Sequence, residues 1–105
     1  LNARLIIDCS HGNSSKDYSR QKSVCEDVFA QIYNGNKSII GVMLESNLNE
    51  GNQSCDKPLH ELAYGVSVTD SCINWQKTET ILRNGASKLS SVLPTRFVVL
   101  NAAVA

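Results

Sequence analysis

The stretch RLIIDCSHGNSSK, residues 4–16, runs from an apolar segment straight into a row of small hydrogen-bonding groups. RLIIDCS (4–10) predicts a short strand, bounded by the turn-forming HGN that follows it. A surface loop accounts for Gly12, Asn13, Ser14 and Ser15. It does not by itself account for a histidine, His11, at the strand's exit.

Downstream, Ser14 and Ser15 offer N-caps for a helix. Val24, Cys25, Val28, Phe29 and Ile32 recur on one helical face over 17–33. Asn34-Gly35 ends that helix, because glycine takes the left-handed conformation cheaply. SIIGVMLES (38–46) is nearly continuous in apolar residues, the pattern of a strand buried on both faces in a parallel sheet. NLNEGNQSCDKPLHEL (47–62) is polar and rich in turn formers, a long loop. AYGVSVTDSCI (63–73) gives a third strand-like segment, with Val66 and Val68 alternating with small polar residues. A last helix covers 75–92 and is weakened by Gly85, which costs about 1 kcal/mol relative to alanine in a helix interior. After Pro94 the chain is apolar and reads as a short strand or an unpaired tail. The order of strand, helix, strand, loop, strand and helix suggests parallel strands with crossover connections. Two helices cannot cover both faces of three such strands, so the organisation reads as an arc of a larger α/β sheet or barrel.

The bulk properties narrow the function. The 105 residues suffice for one small domain. Ten basic and ten acidic residues cancel, which argues against a nucleic-acid or anionic-membrane surface. The longest apolar runs are too short to cross a bilayer, and no basic-then-apolar signal segment opens the chain. Cys9, Cys25, Cys55 and Cys72 form no CxxC pair and fit no zinc-finger spacing, so reduced thiols in a cytoplasmic compartment are expected.

His11 follows the first expected strand, Glu45 ends the second and Asp70 ends the third. That edge is where α/β folds build their sites. A histidine, a glutamate and an aspartate also make a ligand set for a borderline divalent metal. Each has an ordinary reading as well: His11 as a loop donor, Glu45 as a solvated strand end, Asp70 as a cap. Cys9 stands two residues before His11 on the same strand face, yet a buried cysteine is usually a small hydrophobe. His60, beside Lys57 and Glu61, reads as solvated. Asn47, Asn49, Asn52 and Gln53 either hold the loop over a site or keep it soluble.

DCSHGNSSKDY, GVMLESNLNEGNQ and YGVSVTDSCINW, in that order, resemble the C-terminal part of class I 3-deoxy-D-arabino-heptulosonate-7-phosphate (DAHP) synthase, from about Arg4 to Arg83. The resemblance implies a (β/α)8 TIM barrel, with this chain supplying the last three strand segments. A whole barrel needs about 250 residues. It also implies a divalent metal (Mn, Fe, Co or Zn) held by His11, Glu45, Asp70 and a cysteine from an early strand, leaving Cys9 unassigned. By the same resemblance, His11 and Asp70 are catalytic in a metal-dependent condensation of phosphoenolpyruvate with erythrose 4-phosphate, which opens the shikimate pathway. Asn13 and the neighbouring serines become candidates to orient the His11 ring. The expected enzyme is cytoplasmic, homo-oligomeric at full length, and without nucleic-acid or membrane partners.

Two departures accompany the resemblance. The family's phosphate-binding Arg and Lys residues lie mostly in earlier barrel strands, and residues 84–105 are an atypical ending. The alternative reading is a non-catalytic piece, a truncated remnant that folds poorly or a fragment that associates with partner subunits. A sister enzyme acting on a five-carbon sugar phosphate is disfavoured by the GNQ of 51–53, again by resemblance.

Overall fold

A computed structural model of the chain describes residues 3–96. LIID forms β1 (Leu5–Asp8) and IIGVM forms β2 (Ile39–Met43), paired in parallel. Between them runs α1 (Gln21–Tyr33), entered through a 3-10 turn at Tyr18–Arg20, so the first half is a β-α-β unit. Beyond the strands the ladder continues for one bond, Cys9 N–H to the Met43 carbonyl at 2.9 Å. Both strands are shorter than the apolar patterns 4–10 and 38–46 that announced them.

The entry to α1 differs from expectation. Ser15 has φ 54° and Lys16 φ 61°, left-handed conformations that no N-cap adopts, and the Ser14 hydroxyl bonds to the His11 carbonyl. Asp17 caps the 3-10 turn that leads in, accepting the Ser19 N–H at 3.0 Å, and α1 itself begins after Arg20 with no side-chain cap. Cys25, Val28 and Ile32 are the buried apolar face of α1. Its end is as expected: Asn34 is the C-cap and Gly35 follows at φ 109°.

The last helix, α2 (Trp75–Lys88), is capped by Asn74, whose side chain accepts the Lys77 N–H at 2.8 Å. It stops four residues short of 92. Ser90 spends its hydroxyl on the Ser87 carbonyl, and Pro94 sits in a separate 3-10 turn, Leu93–Thr95. The expected strand or tail after Pro94 lies almost wholly outside the described residues.

Gly85 is where α2 meets α1. A Cβ there would lie 2.3 Å from Cε2 of Phe29 and 2.6 Å from its Cζ. The glycine expected to weaken the helix is therefore what lets the aromatic ring seat. Phe29 in turn joins two buried groups. Cys9, Cys25, Ile73 and Ile81 lie toward the strand exits, and Val28, Ile32, Ile39 and Leu89 toward the strand starts.

The third strand expected at 63–73 does not form. The segment makes only isolated bridges: Asn52 with Ser67, Gly51 with Cys72, and Ser46 with Ile73. Two local causes stand out. Gly65 turns the chain at φ 71°, and the side-chain amides of the preceding loop claim the carbonyls a ladder would need. Asn49 Nδ2 donates to the Tyr64 carbonyl, Asn52 Nδ2 to Thr69, and Gln53 Nε2 to both Ala63 and Val66. Such side-chain bonds offer the backbone an alternative to a sheet. The loop is thus built by its own polar groups, and Asn49, Asn52 and Gln53 hold it together.

Neither strand is buried on both faces within these residues. Leu5, Ile6 and Ile40 are 49%, 67% and 49% exposed, apolar side chains left open on a two-stranded sheet. Among the described residues no helix is long and apolar enough to cross a membrane. All four cysteines are free thiols, three of them buried.

Candidate metal centre

His11 lies three residues beyond β1 and Glu45 two beyond β2, on the same edge of the pair. Asp70 arrives from the bridged loop and not from a strand end. The loop is drawn in by the Ile73 N–H to the Glu45 carbonyl and the Asn47 N–H to the Ile73 carbonyl, both 3.0 Å. His11 itself has φ 45°, a conformation that costs a non-glycine residue about 1–2 kcal/mol. With Ser15 and Lys16 it makes three left-handed residues within one six-residue turn. Strain concentrated in this way is characteristic of functional loops.

The structure brings the three sequence candidates together. His11 Nε2 is 2.9 Å from Glu45 Oε1 and 3.1 Å from Asp70 Oδ2, and one ligand atom from each residue lies within 4.8 Å of the others. They border an open cleft of ≈ 350 Å³, together with Ser10, Lys16 and Asn52. The other ring nitrogen, Nδ1, is 2.8 Å from Asp8 Oδ2 and 2.9 Å from the Ser10 hydroxyl. Ser10 also donates its N–H (2.8 Å) and its hydroxyl to Asp8 Oδ1, fixing the carboxylate that fixes the imidazole.

The electrostatics follow from these contacts. The hydrogen bond to Asp8, and then the one to Asp70, hold the His11 pKa above that of an ordinary histidine. The Ser10 hydroxyl, and then His11, hold the Asp8 carboxyl below its usual range.

The donor set fits a divalent cation. Two ligands each about 2.1 Å from one ion, at tetrahedral to octahedral angles, stand about 3.0–3.4 Å apart, close to the two spacings around Nε2. With Asp8 accepting the hydrogen bond from Nδ1, a cation that displaced the Nε2 proton would meet the Nε2 lone pair beside the two carboxylates, the outer carboxylate–histidine arrangement of many metal sites. Cys9 is not part of the group: it is fully buried against Cys25 in the core. The Cys72 thiol, its pKa raised by burial, points at the Asp70 carbonyl. His60 is well exposed in the loop beside Glu61, 3.9 Å away.

Sequence reasoning missed Asp8. Asn13 and nearby serines were the expected ring partners; Ser10 is one, but Asn13 donates to the Asp8 carbonyl instead. The available signal was an aspartate three residues before the histidine, which only the turn brings to Nδ1.

A family model described as the DAHP synthetase I family matches residues 1–83. A Tyr-sensitive phospho-2-dehydro-3-deoxyheptonate aldolase of Enterobacter agglomerans is 62% identical over 96 residues, which are 91% of this chain and 45% of that protein. The Tyr-sensitive enzyme of that name from Escherichia coli (strain K12) is 55% identical over 91% of this chain and 27% of its own length. Among solved structures, the phospho-2-dehydro-3-deoxyheptonate aldolase of Francisella tularensis SCHU S4 superposes with a TM-score of 0.76. It is 46% identical over 83% of this chain and 25% of that one. The chain thus spans less than half the length of these relatives.

Proposed function

The chain belongs to the DAHP synthetase I family, and from that membership we propose that it is the metal-binding part of a DAHP synthase, a C-terminal portion of a (β/α)8 barrel in one domain unit, 1–105, with two strands and a bridged loop where a third strand was expected. The reaction is the condensation of phosphoenolpyruvate with erythrose 4-phosphate to DAHP and phosphate, in the cytoplasm, at the start of aromatic amino-acid biosynthesis. The observation that carries this reading is the convergence of His11 Nε2, Glu45 and Asp70 at the exit of a parallel strand pair. The exposed apolar side chains of Leu5, Ile6 and Ile40 on the strand pair are consistent with a sheet that continues into further strands and coverings.

His11, Glu45 and Asp70 would hold the cation, which when bound supplies Lewis-acid polarisation of a carbonyl oxygen. Asp8 keeps the proton on Nδ1, so Nε2 remains a lone-pair donor. Glu45, the least exposed of the three donors, gives the site its fixed wall. Asp70, the most exposed, keeps carboxylate surface open to the cleft, where a sugar hydroxyl can bond to it. The groups that grip the substrate phosphates come from other parts of the barrel, as the family pattern implies.

Mn²⁺ titration of the chain, followed by loss of the free-ion electron paramagnetic resonance signal, tests the metal reading; no binding at a saturable site sinks it. Mixing the chain with the complementary portion of the E. coli relative and following phosphoenolpyruvate tests the catalytic reading, and no turnover favours the non-catalytic remnant.

A narrower prediction concerns Asp8. Asp8→Asn is expected to lower Mn²⁺ affinity about 10–100-fold, the usual cost of losing an outer carboxylate. It also removes the largest cause of the raised His11 pKa. A metal must displace the imidazole proton, so affinity falls on acidification, and in Asp8→Asn that fall begins at lower pH. Titrations at successively lower pH, wild type against variant, check both effects.

A further inference from the structure

Gln21 opens α1 and is fully buried, although glutamine is mostly a surface residue. Its amide is spent on one partner. Oε1 accepts the Glu45 N–H at 2.8 Å, and Nε2 donates to the Glu45 carbonyl at 3.1 Å. Resting on the metal-centre reading above, we propose that Gln21 is a positioning residue that sets Glu45 as a ligand by gripping its backbone from both sides.

After the Cys9 N–H meets the Met43 carbonyl, a parallel ladder would next send the Glu45 N–H to the Cys9 carbonyl. That bond is replaced by the Gln21 amide. The strand pair has ended at Asp8 and Met43, so the backbone of Glu45 lies beyond regular sheet just where the side chain must be placed. A primary amide carries a donor and an acceptor at the spacing of a peptide group, so it can stand in for a neighbouring strand. The Glu45 carbonyl keeps a second partner in the Ile73 N–H, but among the described residues its N–H bonds to Gln21 alone. Gln21 is held in turn by the helix it starts and borders the same cleft as His11 and Asp70. The β1–α1 connection thus carries a ligand at its start, His11, and the support of a second ligand at its end.

The experiment compares the wild-type chain with Gln21→Met, which keeps length and apolar volume but neither hydrogen bond. Amide hydrogen exchange is read residue by residue, and Mn²⁺ affinity is measured in parallel. In Gln21→Met, exchange at the Glu45 amide is expected to accelerate at least about tenfold while the Cys9 amide keeps its protection. Mn²⁺ affinity is expected to fall about 10–100-fold, the range for lost supporting contacts. Wild-type exchange at Glu45 in the folded variant overturns the proposal. If Gln21→Met does not fold, Gln21→Glu decides, since it keeps the acceptor for the Glu45 N–H: retained protection supports the role and loss of protection overturns it. Failure of the wild-type chain to bind Mn²⁺ is a separate result. It removes the metal reading, and with it Gln21 as support for a ligand, whatever the exchange shows.

Discussion

Gly85→Ala is expected to lower the melting temperature of the chain, against the general preference of helices for alanine. By propensity alone the substitution gains about 1 kcal/mol. A methyl group at position 85 would sit 2.3 Å from a ring carbon of Phe29, whereas carbon atoms at rest lie about 3.5–4.0 Å apart. The ring must swing away or the helices must separate, and Phe29, with Val42, packs against both buried groups. Overpacking of this kind costs about 1–3 kcal/mol, enough to reverse the sign. Far-UV circular dichroism melts read the change directly. A double-mutant cycle with Phe29→Ala identifies the cause, because the two substitutions together should be less harmful than their sum. A melting temperature raised by Gly85→Ala would show that the ring is not seated there.

The second large effect is at the metal centre. His11→Ala is expected to weaken Mn²⁺ binding by more than the roughly 10–100-fold typical of a lost outer partner, because the nitrogen donor itself is gone. Two carboxylates remain, Glu45 and Asp70, donors of a type that suits Mn²⁺ but one too few to hold it as the three did. The fold should persist: the His11 side chain is half exposed, and the backbone of its turn is held by the Lys16 N–H to the His11 carbonyl at 2.7 Å. Unchanged Mn²⁺ affinity in a folded His11→Ala would remove the histidine from the site.

What the sequence made legible follows its periodicities. LII before DCSHGN and IIGVM before LES are apolar runs with abrupt polar ends, and they became β1 and β2 with His11 and Glu45 at their exits. The apolar face of α1 and the Asn34-Gly35 stop were equally readable. AYGVSVTDSCI, with Val66 and Val68 alternating with small polar residues, also read as a strand and became a loop, because the amides that outbid the ladder lie in a different segment, at Asn49, Asn52 and Gln53. Asp70 nevertheless reached the site, carried by backbone bonds at Ile73. Gly85 was read by helix propensity, which is blind to an aromatic ring contributed by another helix. Asp8 and Gln21 escaped notice for a related reason. A polar residue at a strand end or a helix start looks solvated until the tertiary structure supplies its partner.

The turn that carries His11 and the loop that carries Asp70 meet across 59 positions of chain. A cation shared by these two residues and Glu45 would clasp the ends of β1 and β2 to the loop, closing long circuits of chain, whose entropy of closure grows with their length. Ligand that binds only the folded form stabilises it by mass action, about 2.7 kcal/mol at a free concentration a hundred times Kd. Domains are typically stable by only about 5–15 kcal/mol, and this one leaves a sheet face uncovered. Metal loading and folding are then two readings of one equilibrium, and a chelator would loosen the molecule as it strips the site.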